Sequence, residues 1–179
     1  QQKLLELLRC PVTKKKLQCS TISVFKKKYG AVEIEEIKDA VLVSEEGFLF
    51  PVINGIPRML VESVYDYAPF LKQHVQDYET VKEKLEKTHG STIENCKQKN
   101  SKTKASFEFE WNFLNAEQKD KLWHENLSEL TQRFLLETAE PAAYFTGKII
   151  LDAGCGHGIM TTKIGEMSNY AVGIELSKA

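Results

Sequence analysis

Residues 148–175 read KIILDAGCGHGIMTTKIGEMSNYAVGIE. Lys148–Ala153 has the apolar pattern of a buried strand, and Gly154, Gly156 and Gly158 follow at once on alternate positions. The next residues, IMTTKIGEM, carry helical spacing, and YAVGIE (170–175) reads as a second strand. The whole spans 28 residues, close to the ~30 of one strand–helix–strand unit. Glycines at such a crossover let a ligand approach the backbone, and the N–H groups opening a helix favour a carboxylate or phosphate. An acidic residue that closes the second strand can accept two hydrogen bonds from ribose hydroxyls. Glu175 stands 17 residues beyond Gly158, where that role requires it.

Around this stretch the chain is ordinary for a globular protein. It has 179 residues, of which 42% are apolar and 27% charged, with a net charge of −1. That balance argues against a general nucleic-acid or membrane-surface binder, which carries a basic excess. No apolar run approaches the ~20 residues of a membrane span, and QQKLLELLRCPV has no signal-peptide pattern. Cys10, Cys19, Cys96 and Cys155 show no framework spacing, so reduced thiols in a cytoplasm are the expectation. There is no internal repeat.

Residues 3–9 read as a short helix ended by Cys10-Pro11. Segments 17–29 and 31–44 are β-prone. Asn54-Gly55 lies between apolar runs in GFLFPVINGIPRML (47–60) and predicts a tight turn, with Pro51 and Pro57 marking edges or irregular ends. Residues 69–89 predict an amphipathic helix, opened by Pro69 and stopped by Gly90. The polar run STIENCKQKNSKTKAS predicts a linker or mobile loop over 91–106. Asn115 and Gln118 resemble a capping box, and Leu122, Trp123, Leu127, Leu130 and Phe134 continue that helix's apolar stripe. The Phe107, Phe109, Trp111, Phe113 alternation is expected to be core, with Trp111 as the exception that could line a pocket.

The choice of ligand turns on spacing. A dinucleotide fingerprint is G-x-G-x-x-G/A, but Ile159 occupies the third small position. The pattern is instead D-x-G-x-G-x-G, from Asp152 through Gly154, Gly156 and Gly158. LDAGCGHG followed by VGIELS resembles motif I of class I S-adenosylmethionine-dependent methyltransferases. The resemblance implies S-adenosyl-L-methionine as cofactor, held by Gly154, Gly156, Gly158 and Glu175. Asp152 then buttresses the loop or reaches the cofactor's amino group. Cys155 and His157 are read as loop filler, and no catalytic residue is assigned. SFEFEWNFL (106–114) is similar to the same position in fused methyltransferases.

The front end is similar to the Trm112-like family of small zinc-ribbon-like domains, on LLELLRCPVTKKKL (4–17) and GFLFPVINGIPRML (47–60). Zinc-binding members carry two cysteine pairs. This chain keeps Cys10 but has Thr13, Val43 and Glu46 at the other ligand places. A structural zinc site needs four ligands, so no metal is expected. The front core is then expected from packing of Leu5, Leu8, Phe25, Leu42, Phe48, Phe50, Ile53 and Ile56, with Cys10 a buried apolar residue. The triple lysines at 14–16 and 26–28 read as a solvated face, balanced by EIEEIKD and SEEG, and nucleic acid is not the expected partner.

The expected fold class is α+β. A Trm112-like β-rich domain would occupy 1–62, a helix and polar linker 63–105, and a helical segment with the first βαβ unit of a Rossmann-like methyltransferase 106–179. Such a βαβ piece leaves sheet edges and one face bare. Residues 66–140, a homodimer partner or a longer chain are the alternatives for covering them. The chain is expected to be the N-terminal part of a methyltransferase of unknown acceptor, inactive as it stands, with weak or no cofactor binding. The alternative is a non-catalytic interaction module that partners a separate methyltransferase or self-associates.

Overall fold

The computed structural model describes residues 2–29, 31–113, 127–156 and 158–176. They form an α+β protein in two compact units, 1–100 and 101–179. In the first, helix α1 (Gln2–Leu7) precedes an antiparallel sheet of order β1-β2-β3-β4. Its strands are β1 (Gln18–Tyr29), β2 (Val32–Val43), β3 (Leu49–Ile53) and β4 (Ile56–Pro57). The two long strands and the turn fall where the sequence places them. Asn54 and Gly55 take φ of 51° and 79°, as a two-residue hairpin turn requires.

Two prolines shape the sheet's short end. Pro51 lies inside β3, opposite Val41, and has no N–H to give the ladder. Arg58 N–H donates to the Pro51 carbonyl, but the return bond cannot form. The Ser63 hydroxyl fills that place, donating to the Arg58 carbonyl at 2.7 Å. The sheet therefore stops at β4, and the chain turns into helices α2 (Ser63–Asp66) and α3 (Ala68–His74). On the other side of the turn, Asp39 accepts from Ser23 Oγ and from the Asn54 N–H. These bonds hold the Asp39 carboxyl below its ordinary pKa, the Asn54 amide first among them.

The expected helix over 69–89 is two helices. Val75 is extended and Asp77 has φ of 59°, a region that Asp tolerates better than most residues. After this break α4 runs from Tyr78 to Phe113, 36 residues, straight through Gly90 and through the whole expected linker. Both expectations are corrected. The reason is a buried stripe one residue wide: Tyr78, Leu85 and Ile93 are buried, with Val81, His89, Cys96 and Asn100 half-buried between and beyond them. Three- and four-residue steps hold throughout, but one apolar residue per turn leaves the run looking polar.

The stripe seals the first unit. His89 packs tilted against Phe48 at 4.9 Å between ring centroids, and Tyr78 Oη donates to the Val64 carbonyl at 2.6 Å. Asn100 Nδ2 donates to both oxygens of the fully buried Glu62 carboxylate, at 2.9 and 3.2 Å. Residues 63–100 thus belong to the front unit and its core. Of the expected core members, Leu42, Phe48 and Phe50 are buried, and Leu5 and Leu8 pack against them. Phe25 and Ile53 are half-buried and Ile56 is 53% exposed, because β1 and β4 are the outer strands of the sheet. Cys10 is fully buried.

The second unit holds α5 (Leu127–Thr138), a 3₁₀ turn (Ala142–Phe145), β5 (Ile149–Ala153), α6 (Ile159–Met167) and β6 (Tyr170–Ile174). Phe134 of α5 packs on Phe145 at 5.2 Å. The capping box at Asn115 and Gln118, together with Leu122, Trp123 and His157, lies outside the described residues. So do the side chains of the 107–113 alternation. No helix of the described residues is long and apolar enough to cross a membrane.

Two predictions test the first unit's helical packing. A Cβ at Gly90 would meet nothing within 4 Å, so Gly90→Ala is expected to raise the unfolding free energy by about 0.5–1 kcal/mol in urea titration. At a helix stop with positive φ the same change would lower it. Tyr65 donates to Glu86 at 2.9 Å, and burial, then that bond, push its hydroxyl up to about 12. The neutral phenol is thus favoured in the folded state. Its contribution is complete below pH ~10 and lost as pH rises from there to about 12. The Tyr65→Phe variant should lack this alkaline loss of stability when melting is followed across that window.

Candidate functional site

Strands β5 and β6 are parallel, in register from Ile149 with Tyr170 to Ala153 with Ile174. Side chains alternate across a strand, so Ile150, Asp152, Ala171 and Gly173 share one face. Helix α6 covers that face: Gly165 of the helix lies against Ala171, and Thr161 Oγ1 donates to Asp152 Oδ2 at 2.5 Å. The opposite face carries Ile149, Leu151 and Ile174, at 52%, 64% and 50% exposure. The strand expected over 148–153 is present at Ile149–Ala153, with Ile150 and Asp152 half-buried on the helix-covered face.

The loop between β5 and α6 brings the sequence-derived residues together. Gly154, Gly156 and Gly158 have φ of 80°, 52° and 74°, values at which any Cβ is strained. Beyond Gly154 and Gly158 there is open space where a side chain would stand. Gly154 and Cys155 both donate their N–H to the Ile174 carbonyl, at 2.8 and 3.0 Å, which ties the loop across the end of β6. Gly158 is the N-cap of α6 and has no side chain to cap it. The first N–H groups of a helix have no partner within it.

Glu175 follows β6 directly. Its Oε2 accepts the Gly156 N–H at 3.0 Å and its Oε1 the Leu176 N–H at 2.8 Å. Each carboxylate oxygen takes a backbone donor, which fixes the group in place beside the loop. Asp152 accepts from Thr161 Oγ1, which makes it a buttress of the loop–helix junction. Burial first, then the charge of Asp152, push the Cys155 thiol up, so it is a poor nucleophile at neutral pH.

Two residues at this site escaped the sequence reading. A Cβ on Gly173 would lie 2.7 Å from Cys155 Sγ, 3.0 Å from its Cβ and 3.1 Å from Thr161 Oγ1. Gly173 is thus what lets the loop lie down on β6. A lone glycine inside an apolar strand pattern is the signal for such an approach. Thr161, three residues after Gly158, is placed by the first turn of α6 to reach back to Asp152.

In the front unit, Cys10, Thr13, Val43 and Glu46 do not make a metal cluster. Among the described residues no group of three or more His, Cys, Asp or Glu side chains could hold a metal ion. Lys15 instead bridges Glu45 and Glu46, at 2.7 and 3.2 Å.

In comparisons with known proteins, no family model, no curated protein and no solved structure matches this chain.

The close approach at Gly173 has a measurable consequence. Gly173→Ala forces a methyl group into Cys155 and should cost about 1–3 kcal/mol of stability. Combining it with Cys155→Gly removes two of the three clashes and should recover more than half of that loss in a double-mutant cycle. Equal losses with and without Cys155→Gly would place the strain elsewhere.

Proposed function

We propose that residues 149–176 form the cofactor-binding segment of a class I methyltransferase-type domain, taking S-adenosyl-L-methionine. The observation that carries this reading is the joining of Gly156 to Glu175. The second glycine of the loop and the acidic residue after β6 meet at 3.0 Å, which brings a carboxylate acceptor to the loop that opens α6, whose first N–H groups have no partner within the helix. A ligand suited to both has an acidic group for the N–H groups and vicinal hydroxyls for the carboxylate. S-adenosylmethionine has both, in its methionine end and its ribose.

The residues present fit that cofactor. Open space beyond Gly154 and Gly158 leaves room for its methionine end at the loop. The start of α6 favours its carboxylate, and Glu175 is held ready for the ribose. When bound, the cofactor supplies an electrophilic methyl group on a sulfonium. The chain's own part is to orient it: the three glycines shape the cradle, Thr161 fixes Asp152, and Glu175 holds the sugar. Positioning of this kind is the main protein contribution that methyl transfer needs. No acceptor-binding residue is assigned, and Cys155 is no candidate base. Ile159, the first residue of α6, stands where a dinucleotide site has its third small residue, which disfavours a nicotinamide cofactor.

The front unit supports a Trm112-like reading through its helix, the CPV segment leading out of it, and the Asn54-Gly55 hairpin. In this chain Cys10 serves as core, and Lys15 with Glu45 and Glu46 makes surface ion pairs there.

Isothermal titration with S-adenosylmethionine tests the proposal. Binding with Kd on the order of 10⁻⁴ M is expected, weakened about tenfold, or ~1.4 kcal/mol, by Glu175→Ala. Heat with NADH but none with S-adenosylmethionine, or equal binding by the Glu175→Ala variant, would contradict it.

A further inference from the structure

β1 is the outermost strand of the front sheet, and β2 pairs with β3 only from Ala40 to Val43. Beyond that point β1 and β2 continue alone as a two-stranded ribbon. After the irregularity around Ile22 and Ser23, Val24–Tyr29 pair with Val32–Ile37 without interruption. The free outer edge there is six residues long, about 20 Å at the rise of a strand, and such an edge presents unpaired N–H and C=O groups.

The ribbon's two faces differ. One carries Lys26 and Lys28 directly opposite Glu35 and Glu33, with Lys26 Nζ 3.3 Å from Glu33. The other carries Phe25, Lys27, Tyr29, Val32, Ile34 and the buried Glu36, which accepts from Tyr29 Oη at 3.1 Å; its exposed apolar residues are Tyr29, Val32 and Ile34, at 46%, 59% and 44% exposure. Lysines on an edge strand commonly serve to repel other strands. That role alone gives no reason for an exposed apolar face beside them. Antiparallel pairing of two β1 edges would also set lysine against lysine, and like charges directly opposite destabilise. The existing neighbour of β1 shows what the lysines accept: Val32–Glu35, VEIE, puts Glu33 and Glu35 opposite Lys28 and Lys26, and Val32 and Ile34 on the other face, before Glu36 and Ile37 reverse the pattern opposite Phe25 and Val24.

We propose that the Val24–Tyr29 edge docks an extended segment of a partner protein whose residues alternate acidic and apolar. The segment adds as a further strand. Its main-chain groups pair with the edge, its acids meet Lys26 and Lys28, and its apolar side chains extend the Phe25–Tyr29 face. Strand addition of this kind takes affinity from the backbone and selectivity from alternate side chains.

The test is an amide-resolved NMR titration of the whole chain with two capped peptides, acetyl-VEIEVE-amide and acetyl-VKIKVK-amide, and with a short oligouridine. The acidic peptide should shift the Val24–Tyr29 amides in a saturable way, at least tenfold more tightly than the basic one. The quadruple variant Lys26→Glu, Lys28→Glu, Glu33→Lys, Glu35→Lys keeps every cross-strand pair opposite in charge, so the ribbon should fold. It should also invert the peptide preference. No shift with either peptide, an unchanged preference in the folded variant, or tighter binding of oligouridine at the same amides would overturn the proposal. Concentration-dependent shifts of these amides without any peptide would assign the edge to a second copy instead, and would equally overturn it.

Discussion

At Gly173 the backbone of β6 passes so close to Cys155 that no side chain fits between them. The arrangement of the second unit depends on this approach. With the loop laid on β6, Gly154 and Cys155 can both reach the Ile174 carbonyl, and Gly156 comes within a hydrogen bond of Glu175. The same geometry starts α6 at the phase that turns Thr161 toward Asp152. Three positive-φ glycines make the loop possible. The fourth glycine, in the strand, decides where the loop rests.

The first unit relies on a different device. Residues 78–100 of a 36-residue helix are held to a small sheet by roughly one buried or half-buried side chain per turn. Its far end in that unit is fixed by Asn100 on the buried Glu62 carboxylate. A hydrogen bond to a charged group contributes about 1.5–3 kcal/mol, and leaving a buried carboxylate without it costs more. Ser63 adds a second polar tie by occupying the bond that Pro51 cannot make. Helices α2 and α4 are thus joined to the sheet's end by specific polar contacts as well as by apolar burial.

These differences explain what was legible in the sequence. Hairpin strands and the Asn54-Gly55 turn were readable because their signals are local: β-branched residues, alternation, and a dipeptide that tolerates positive φ. The placement of Asp152, the three glycines and Glu175 at one strand–loop–helix junction was readable because the spacing of a βαβ unit is nearly fixed. The extent of α4 was not, since Ile93, Cys96 and Asn100 are too sparse to register as a stripe, and Gly90 imitates a stop. The break at Asp77 was hidden because the apolar pattern continues across it. Ile56 has the apolar character of a core residue, but β4 ends the sheet and leaves it exposed. Gly173 and Thr161 act through contacts distant in sequence, which composition and periodicity do not report.

The central claim is that the glycine loop and Glu175 form one binding surface for S-adenosylmethionine. Amide chemical shifts during titration with S-adenosylhomocysteine, which lacks the transferable methyl group, test it without requiring turnover. The account predicts saturable shifts at Gly154, Gly156, Gly158 and Glu175, with the amides of the front sheet unmoved. Saturable binding that leaves those four amides in place, with shifts elsewhere in the chain, would contradict it.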